Sequence, residues 1–145
     1  MKHFNIRVYG IYVNPEKEVL VTDESYDEHE FTKFPGGGLE WGEGSIECLK
    51  REFIEEFNTE ITVLSHFYTT DFFQVSTFHH NDQVISIYYL IDLDFSSLKH
   101  NIFLTDSSEE VRFIPLVDLK DSDLTFPIDK KVVELIKSHF LSAEI

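Results

Sequence analysis

Apolar and polar positions alternate along the first part of the chain. Asn5 to Val13 follows this period of two, and Glu18 to Thr22 repeats it after the turn signal Asn14-Pro15. Such a period places successive side chains on opposite faces of a strand. We therefore predict two strands here, followed by a loop over the polar residues 25–30.

The pattern then changes from strand to helix. Phe34 to Gly38 reads Phe-Pro-Gly-Gly-Gly, which favours irregular backbone, because proline lacks a hydrogen-bond donor and glycine is conformationally permissive. From Ser45 to Phe57 the apolar positions follow helical spacing, with Ser45 as a plausible N-cap and Asn58 suited to a left-handed exit. The predicted apolar stripe of this helix comprises Ile46, Leu49, Phe53 and Phe57.

The second half of the chain adds strands and a closing helix. The predicted elements are strands at 61–75 and 83–95 joined through a hairpin at 79–82, a short strand at 111–114, a turn at 115–119 and a helix at 129–140. Strands combined with one central and one terminal helix predict the α+β class, with a mixed central β-sheet covered by helices on both faces.

Length and composition narrow the class of protein. The 145 residues and 42% hydrophobic content predict a single globular domain over residues 1–145. No apolar run is long enough to span a bilayer and no leader precedes the first strand, so we expect a cytoplasmic protein. The single cysteine, Cys48, excludes an internal disulfide and a cysteine metal cluster.

The chain is strongly acidic, with a formal net charge of −15. Such a surface repels nucleic-acid polymers and anionic membranes, so neither is an expected partner. A small phosphorylated ligand would need divalent cations to bridge it to the protein, and carboxylates bind Mg²⁺. The acidity also serves simple solubility.

Three glutamates of the central helix share one arc. Glu52, Glu55 and Glu56 lie within roughly 100° of each other beside the apolar stripe. Like charges at these spacings are unfavourable unless a cation lies among them, although a solvated acidic face gives the same pattern. The preceding glycines expose carbonyls to a ligand, and Arg51 can brace the loop by a bidentate pair with Glu43 or can be a surface cation.

The residues from Gly37 to Thr59 read GGLEWGEGSIECLKREFIEEFNT. This stretch resembles the Nudix box of the MutT/Nudix hydrolases, G-x5-E-x7-R-E-U-x-E-E-x-G-U, where U is a bulky aliphatic. This stretch differs from the family motif at Phe53, Asn58 and Thr59. These three positions affect side-chain packing and the end of the helix, and none of them is one of the motif's carboxylates. The positions in register are Gly37, Glu43, Arg51, Glu52, Glu55 and Glu56.

The resemblance implies a Nudix fold, an α/β/α sandwich, and hydrolysis of a nucleoside diphosphate linked to another moiety. It implies Mg²⁺, with Mn²⁺ as a possible substitute, bound by the Gly36 carbonyl and by Glu52, Glu55 and Glu56. It further implies that Glu52 orients or deprotonates the attacking water and that Gly37 and Glu43 brace the loop. The residues it places in the catalytic centre are Arg51, Glu52 and Glu55, with Glu110 or its neighbour Glu109 as a possible later base.

Substrate selection must come from outside the box. Lys33 and Arg7 are candidate phosphate contacts, and Phe73 is a candidate for stacking on a base. Further stacking candidates are Phe67, Tyr68, Phe72 and Phe78, and weaker substrate candidates are His79 and His80. The segment Thr125-Phe126-Pro127 resembles nucleotide-sanitising Nudix enzymes, but Asp129 and Lys130 follow where those enzymes carry an asparagine, which disfavours an oxidised-guanine triphosphatase.

Several functions remain open from the sequence. The favoured one is hydrolysis of a small nucleotide, either a nucleoside triphosphate or a nucleotide sugar, by a monomer or homodimer. The alternatives are an ADP-ribose-type dinucleotide pyrophosphatase, a non-catalytic nucleotide-sensing Nudix domain, and an interaction module whose acidic helix binds a basic partner. Retention of all three box glutamates argues against the sensing domain.

Overall fold

The computed structural model describes residues 1–98 and 109–141. These residues fall into two compact units, one made of residues 1–12 and 35–98 and the other of residues 13–34 and 109–141. The prediction of a single domain over residues 1–145 stays a prediction.

The first unit contains a four-stranded sheet with the order β4-β1-β6-β5. Strands β1 and β6 are parallel, whereas β1 with β4 and β5 with β6 are antiparallel, so the predicted mixed sheet is confirmed. Its strands are β1 (His3–Ile11), β4 (Gly36–Gly38), β5 (Ile61–Thr69) and β6 (Asp82–Leu93).

Helix α1 (Ser45–Phe57) has the predicted bounds and belongs to the first unit. Its stripe is shifted from the prediction, because Cys48 is buried and Ile46 is 42% exposed. A Cβ on Gly10 would come within 3.2 Å of the Phe53 ring, so this glycine lets the helix pack closely on β1. The apolar residues buried around this helix include Val8, Ile11, Leu49, Phe53, Phe57 and Ile91.

Two predictions in this unit are wrong: the irregular backbone expected at 34–38 and the end of the strand expected over 61–75. The glycines Gly36–Gly38 form a short strand, because β1 supplies hydrogen-bond partners that the sequence pattern does not reveal. The strand predicted over 61–75 ends at Thr69, and residues 70–81 form a connection in which Val75 makes one isolated bridge to Gln83. The predicted long hairpin is therefore replaced by two strands with a longer link.

The second unit contains an antiparallel sheet with the order β3-β2-β7. The strands are β2 (Glu18–Tyr26), β3 (His29–Lys33) and β7 (Glu110–Pro115). The predicted loop over 25–30 is wrong, because Asp27 and Glu28 adopt positive φ and close a β2–β3 hairpin. The prediction of one sheet is therefore corrected to two sheets, whereas the α+β class is confirmed.

The last helix, here α2 (Pro127–Leu141), belongs to the second unit. It begins two residues before the predicted start, because proline is favourable at a first helical position, where its missing N–H costs nothing. Val132, Val133 and Ile136 of the predicted stripe are buried. Within residues 1–98 and 109–141, no helix combines the length and apolar character needed to cross a bilayer.

Candidate active site

Helix α1 is fixed at both ends by backbone contacts. Gly44 rather than the predicted Ser45 is the N-cap, and its N–H donates to the Glu47 carboxylate at 3.0 Å. The Ser45 hydroxyl instead lies 2.6 Å from the Tyr89 hydroxyl on β6. Asn58 has φ 48° and ψ 41°, the predicted left-handed exit, and its N–H donates to the Ile54 carbonyl.

Arg51 lies at the centre of a network of carboxylates. Its Nε and Nη2 donate to the two oxygens of Glu43 at 3.0 and 2.8 Å, which is a bidentate pair. Its Nη1 donates to Glu52 Oε1 at 3.0 Å and to Glu55 Oε2 at 2.9 Å. Nη2 also donates to the Gly38 carbonyl at 3.1 Å, so one guanidinium joins the helix, the loop and strand β4.

The network changes the ionisation of its members. The hydrogen bond from Arg51 lowers the pKa of Glu43 to about 2, and the backbone N–H of Glu40 adds to this effect. The pKa of Arg51 is raised further above its usual value, chiefly by the hydrogen bond to Glu43. The Glu43–Arg51 pair is therefore charged at every pH at which enzymes work.

Cys48 is a second contact between α1 and β4. Its side chain is fully buried, and its Sγ donates to the Gly38 carbonyl at 3.5 Å. Burial, followed by interactions with Glu43, raises the pKa of the thiol to about 12. Cys48 is therefore a packed thiol rather than an activated thiolate.

Gly37 makes room for the carboxylate of Glu52. A Cβ on Gly37 would lie 2.5 Å from both Glu52 oxygens, a distance that no real side chain tolerates. The Glu52 side chain is only 13% exposed, so its carboxylate is held against the backbone of β4. Glycine is therefore needed at position 37 for the close approach of this carboxylate.

The three glutamates of the helix differ in environment. Glu52 and Glu56 are half-buried, whereas the Glu55 side chain is 56% exposed. Across the described parts of the chain, no three His, Cys, Asp or Glu side chains converge closely enough to enclose a metal ion. Arg51 contacts one oxygen each of Glu52 and Glu55, and the second oxygen of each carboxylate makes no contact with it.

Arg7 lies on β1, the strand that pairs with β4. Its Nε donates to the Tyr9 hydroxyl at 2.6 Å, and its guanidinium lies 5.7 Å from the centre of the same ring. One terminal nitrogen, Nη1, lies 3.6 Å from the position that a Cβ would take on Gly38. The sequence suggested Arg7 but not Tyr9, although their spacing of two on a strand already places both on one face.

The other predicted substrate and base residues are described by their own surroundings in each unit. Lys33 belongs to the second unit, where it is 4% exposed and its Nζ lies 2.8 Å from Glu24, so its surroundings do not favour contact with a phosphate. Phe73 is 71% exposed in the connection after β5. Glu110 is the first residue of β7 in the second unit and Glu109 directly precedes it, and their role as a later base stays a prediction.

The aromatic and histidine candidates divide between packed and exposed positions. Tyr68 lies in β5 and packs its ring against Tyr88 at 6.2 Å. Phe72, His79 and His80 are exposed in the connection between β5 and β6. Two further contacts were not predicted from the sequence: the N–H of Glu40 donates to Glu43 three residues later, and the Tyr89 hydroxyl contacts Ser45. The second contact joins residues 44 positions apart, so no local spacing rule reveals it.

Comparison with known proteins identifies the fold. The chain matches the family model described as the NUDIX domain over residues 3–136. The E. coli ORF135 protein is 14% identical, with a TM-score of 0.73 over 99% of this chain and 95% of that chain. A MutT structure from a study of Aliivibrio salmonicida and Vibrio cholerae is 22% identical, with a TM-score of 0.64 over 94% of this chain and 99% of that chain.

A further neighbour is a DNA complex. NrtR of Shewanella oneidensis, complexed with a 27mer DNA, is 12% identical, with a TM-score of 0.63 over 94% of this chain and 61% of that chain. These structural likenesses concern the fold alone, and no curated protein sequence matches the chain. The match of the family model over nearly the whole chain carries the assignment. The chain belongs to the NUDIX domain family and is a Nudix-type pyrophosphohydrolase that acts on nucleoside diphosphate derivatives.

Proposed function

We propose that this protein hydrolyses a nucleoside triphosphate or a nucleotide sugar in a Mg²⁺-dependent reaction at the helix α1 site. The observation that carries the proposal is the network of Arg51, which holds Glu43, Glu52 and the Gly38 carbonyl in one place. A solvated acidic helix face needs no such link to β4. A site for a charged ligand does, because its groups must be held in position before the ligand arrives.

The donor types at this site, carboxylate and carbonyl oxygens, suit a hard divalent cation. Because the side chains of Glu52, Glu55 and Glu56 do not converge in the described structure, binding would have to draw them together. Glycine at position 37 lets the Glu52 carboxylate lie close against strand β4. Arg51 donates to one oxygen of Glu52 and to one oxygen of Glu55, so the second oxygen of each carboxylate is not engaged by these bonds. Mg²⁺ prefers oxygen ligands of this kind. Glu52, Glu55, Glu56 and the Gly36 carbonyl are therefore the proposed ligands.

The proposed chemistry assigns separate roles to the chain's own groups. When bound, Mg²⁺ neutralises pyrophosphate charge and acidifies coordinated water. Glu52 Oε2, the oxygen that Arg51 does not contact, would accept the proton of the attacking water and direct that water in line at phosphorus. Arg51 and Glu43 would hold Glu52 in this orientation, so we assign them positioning roles.

Hydrolysis of a substrate panel tests this proposal. The panel comprises nucleoside triphosphates, nucleotide sugars and dinucleotides of the ADP-ribose type, each with Mg²⁺ or Mn²⁺. We expect Glu56→Gln to lower kcat at least about a hundredfold, because a ligand carboxylate is removed. Glu60→Gln, an exposed glutamate just beyond α1, is the matched control and should retain activity.

The outcomes separate the remaining functions. Equal activity of wild type and Glu56→Gln would refute the assignment of the helix as the catalytic centre. Preference for dinucleotides would replace the proposed substrate class. Absence of hydrolysis together with nucleotide binding would favour a sensing domain. The variants Glu109→Gln and Glu110→Gln, compared with Glu52→Gln, identify the base by the largest loss of kcat.

A further inference from the structure

We propose that Arg7 binds a phosphate oxygen of the substrate on the face of strand β4 opposite to Glu52. The inference rests on the proposed function and deepens it, because it places the substrate's phosphates across the edge strand Gly36–Gly38. Arg7 lies outside the box motif, and nothing in that motif assigns it a role.

Strand register places Arg7 and Glu52 on the two faces of one strand. In the β1–β4 ladder, Arg7 pairs with Gly38 and Val8 pairs with Gly37. Paired residues of an antiparallel ladder share a face and successive residues alternate, so Gly37 and Gly38 face opposite sides. The Glu52 carboxylate lies over Gly37, and Arg7 Nη1 lies beside Gly38. The two charged groups thus flank consecutive residues of the same strand.

Strand β4 is also the edge of its sheet, since the order is β4-β1-β6-β5. An edge strand presents backbone groups that no neighbouring strand covers. A pyrophosphate at this edge can therefore meet Glu52 and its proposed cation from one face and a guanidinium from the other. The absence of side chains on the three glycines keeps that approach short.

Tyr9 fixes the orientation of Arg7. The tyrosine ring is 4% exposed and packs 5.3 Å from the Tyr88 ring, so its hydroxyl has a defined position. That hydroxyl accepts the Nε–H of Arg7 at 2.6 Å and directs the terminal nitrogens towards β4. A guanidinium held in this way loses less conformational freedom when it binds phosphate bidentately, which arginine does better than lysine.

The overall charge makes such a cation useful. With a net charge of −15, the protein repels a phosphorylated ligand at long range. The positioned guanidinium of Arg7 attracts the substrate's phosphate locally, on the face of strand β4 opposite to Glu52. The contact should contribute to binding rather than to the chemical step, because Arg7 and the proposed base lie on opposite faces of the strand.

Steady-state kinetics on the panel substrate with the highest kcat/KM tests Arg7. We expect Arg7→Gln to raise KM about tenfold or more while kcat changes by less than about threefold. Arg7→Lys keeps the charge but loses the bond to Tyr9, so its KM should lie in between. Lys2→Gln removes an exposed cation just before β1 and should match wild type.

Tyr9→Phe tests whether the tyrosine acts through Arg7. The single variant should raise KM, and the double variant with Arg7→Gln should be no worse than Arg7→Gln alone. Circular dichroism and the urea midpoint must show that each variant is folded. Additive losses in the double variant would contradict a positioning role for Tyr9 and would indicate a purely structural one.

Binding of inorganic pyrophosphate in Mg²⁺, measured by calorimetry, separates this proposal from the proposed function. If the wild type hydrolyses no substrate, the proposed function is overturned. The role of Arg7 is then decided by comparing the pyrophosphate affinities of wild type and Arg7→Gln. We expect Arg7→Gln to weaken this affinity about tenfold. Unchanged affinity and unchanged KM in a folded Arg7→Gln variant would overturn the proposal, as would a loss confined to kcat.

Discussion

At the scale of residues, one arginine organises the candidate site. Arg51 donates to Glu43, Glu52 and Glu55 and to the Gly38 carbonyl. Its partners come from the helix, the preceding loop and strand β4. The spacing between Glu43 and Arg51 is readable from the sequence, because the two residues belong to one motif. The contact between Arg51 and Gly38 cannot be read from the sequence, because it depends on where β4 pairs with β1.

The ion pair between Arg51 and Glu43 predicts a specific pH dependence of stability. The pKa of Glu43 falls from 4.5 to about 2 in the folded protein, so its stabilising contribution is complete above pH 4.5 and is lost as the pH falls towards 2. Wild type should be more stable than Glu43→Gln at pH 7, and the difference should shrink between pH 4.5 and 2. Urea denaturation at stepped pH measures this difference.

A suitable control for this experiment is Glu60→Gln, which removes one exposed carboxylate outside the network of Arg51. It reports the effect of changing the net charge by one unit. A difference between wild type and Glu43→Gln that stays constant from pH 7 to 2 would contradict the assigned ion pair.

At the scale of elements, strand β4 connects the glycine-rich sequence to the site. Its pairing with β1 sets which glycine faces Glu52 and which faces Arg7. The helix α1 was predictable because its apolar spacing and its left-handed Asn58 are local signals. Strand β4 and the β2–β3 hairpin could not be predicted from the sequence. Polar and glycine-rich strands are stabilised by pairing with neighbouring strands, so their own residue pattern gives little signal.

Alanine substitutions at two neighbouring glycines test this description of β4. A Cβ at position 37 would lie 2.5 Å from the Glu52 oxygens, whereas at position 38 it would meet Arg7 at an ordinary 3.6 Å. We expect Gly37→Ala to displace the Glu52 carboxylate and to lower kcat by at least about tenfold, in line with the loss of a positioned group. Gly38→Ala should keep kcat within about threefold of wild type.

The measurement is initial rate at saturating substrate, together with the thermal midpoint of each variant. Both substitutions change glycine to alanine in the same strand, so general backbone effects are matched. Equal losses of kcat in the two variants would show that the position of Glu52 does not depend on Gly37.

At the scale of the whole molecule, the net charge of −15 dominates. Self-repulsion on this scale opposes compaction and is screened by salt. The same acidity raises the local concentration of divalent cations, so a general salt effect and a specific metal site must be separated by experiment. Only a specific metal site saturates, because the stabilisation of the folded protein then follows the fraction of sites that are occupied by the ion.

Thermal unfolding in Mg²⁺ at constant ionic strength makes that separation. We expect the Tm of wild type to rise with Mg²⁺ along a saturating curve, corresponding to about 2.7 kcal/mol when the free ion reaches a hundred times its Kd. Glu56→Gln should lose most of this rise, whereas Glu60→Gln should keep it. An equal response of all three proteins, matched by NaCl alone, would indicate a nonspecific acidic surface.

The sequence by itself determined the reaction class and the helix that carries it. Those features depend on spacing along one segment, from Gly37 to Asn58, where local geometry converts sequence distance into position. It also gave Arg7 and Lys33 as two candidate cations without ranking them. The match to the NUDIX domain over residues 3–136 confirms the family that this segment indicated.

Tertiary structure decided what local spacing cannot encode. Pairing of β1 with β4 placed Arg7 beside Gly38 and Glu52 against Gly37, and burial of Lys33 with Glu24 distinguished this lysine from Arg7. These contacts join residues far apart in sequence, so they depend on strand register rather than on periodicity. The box therefore identified the chemistry, whereas the sheet determined which cation lies beside it.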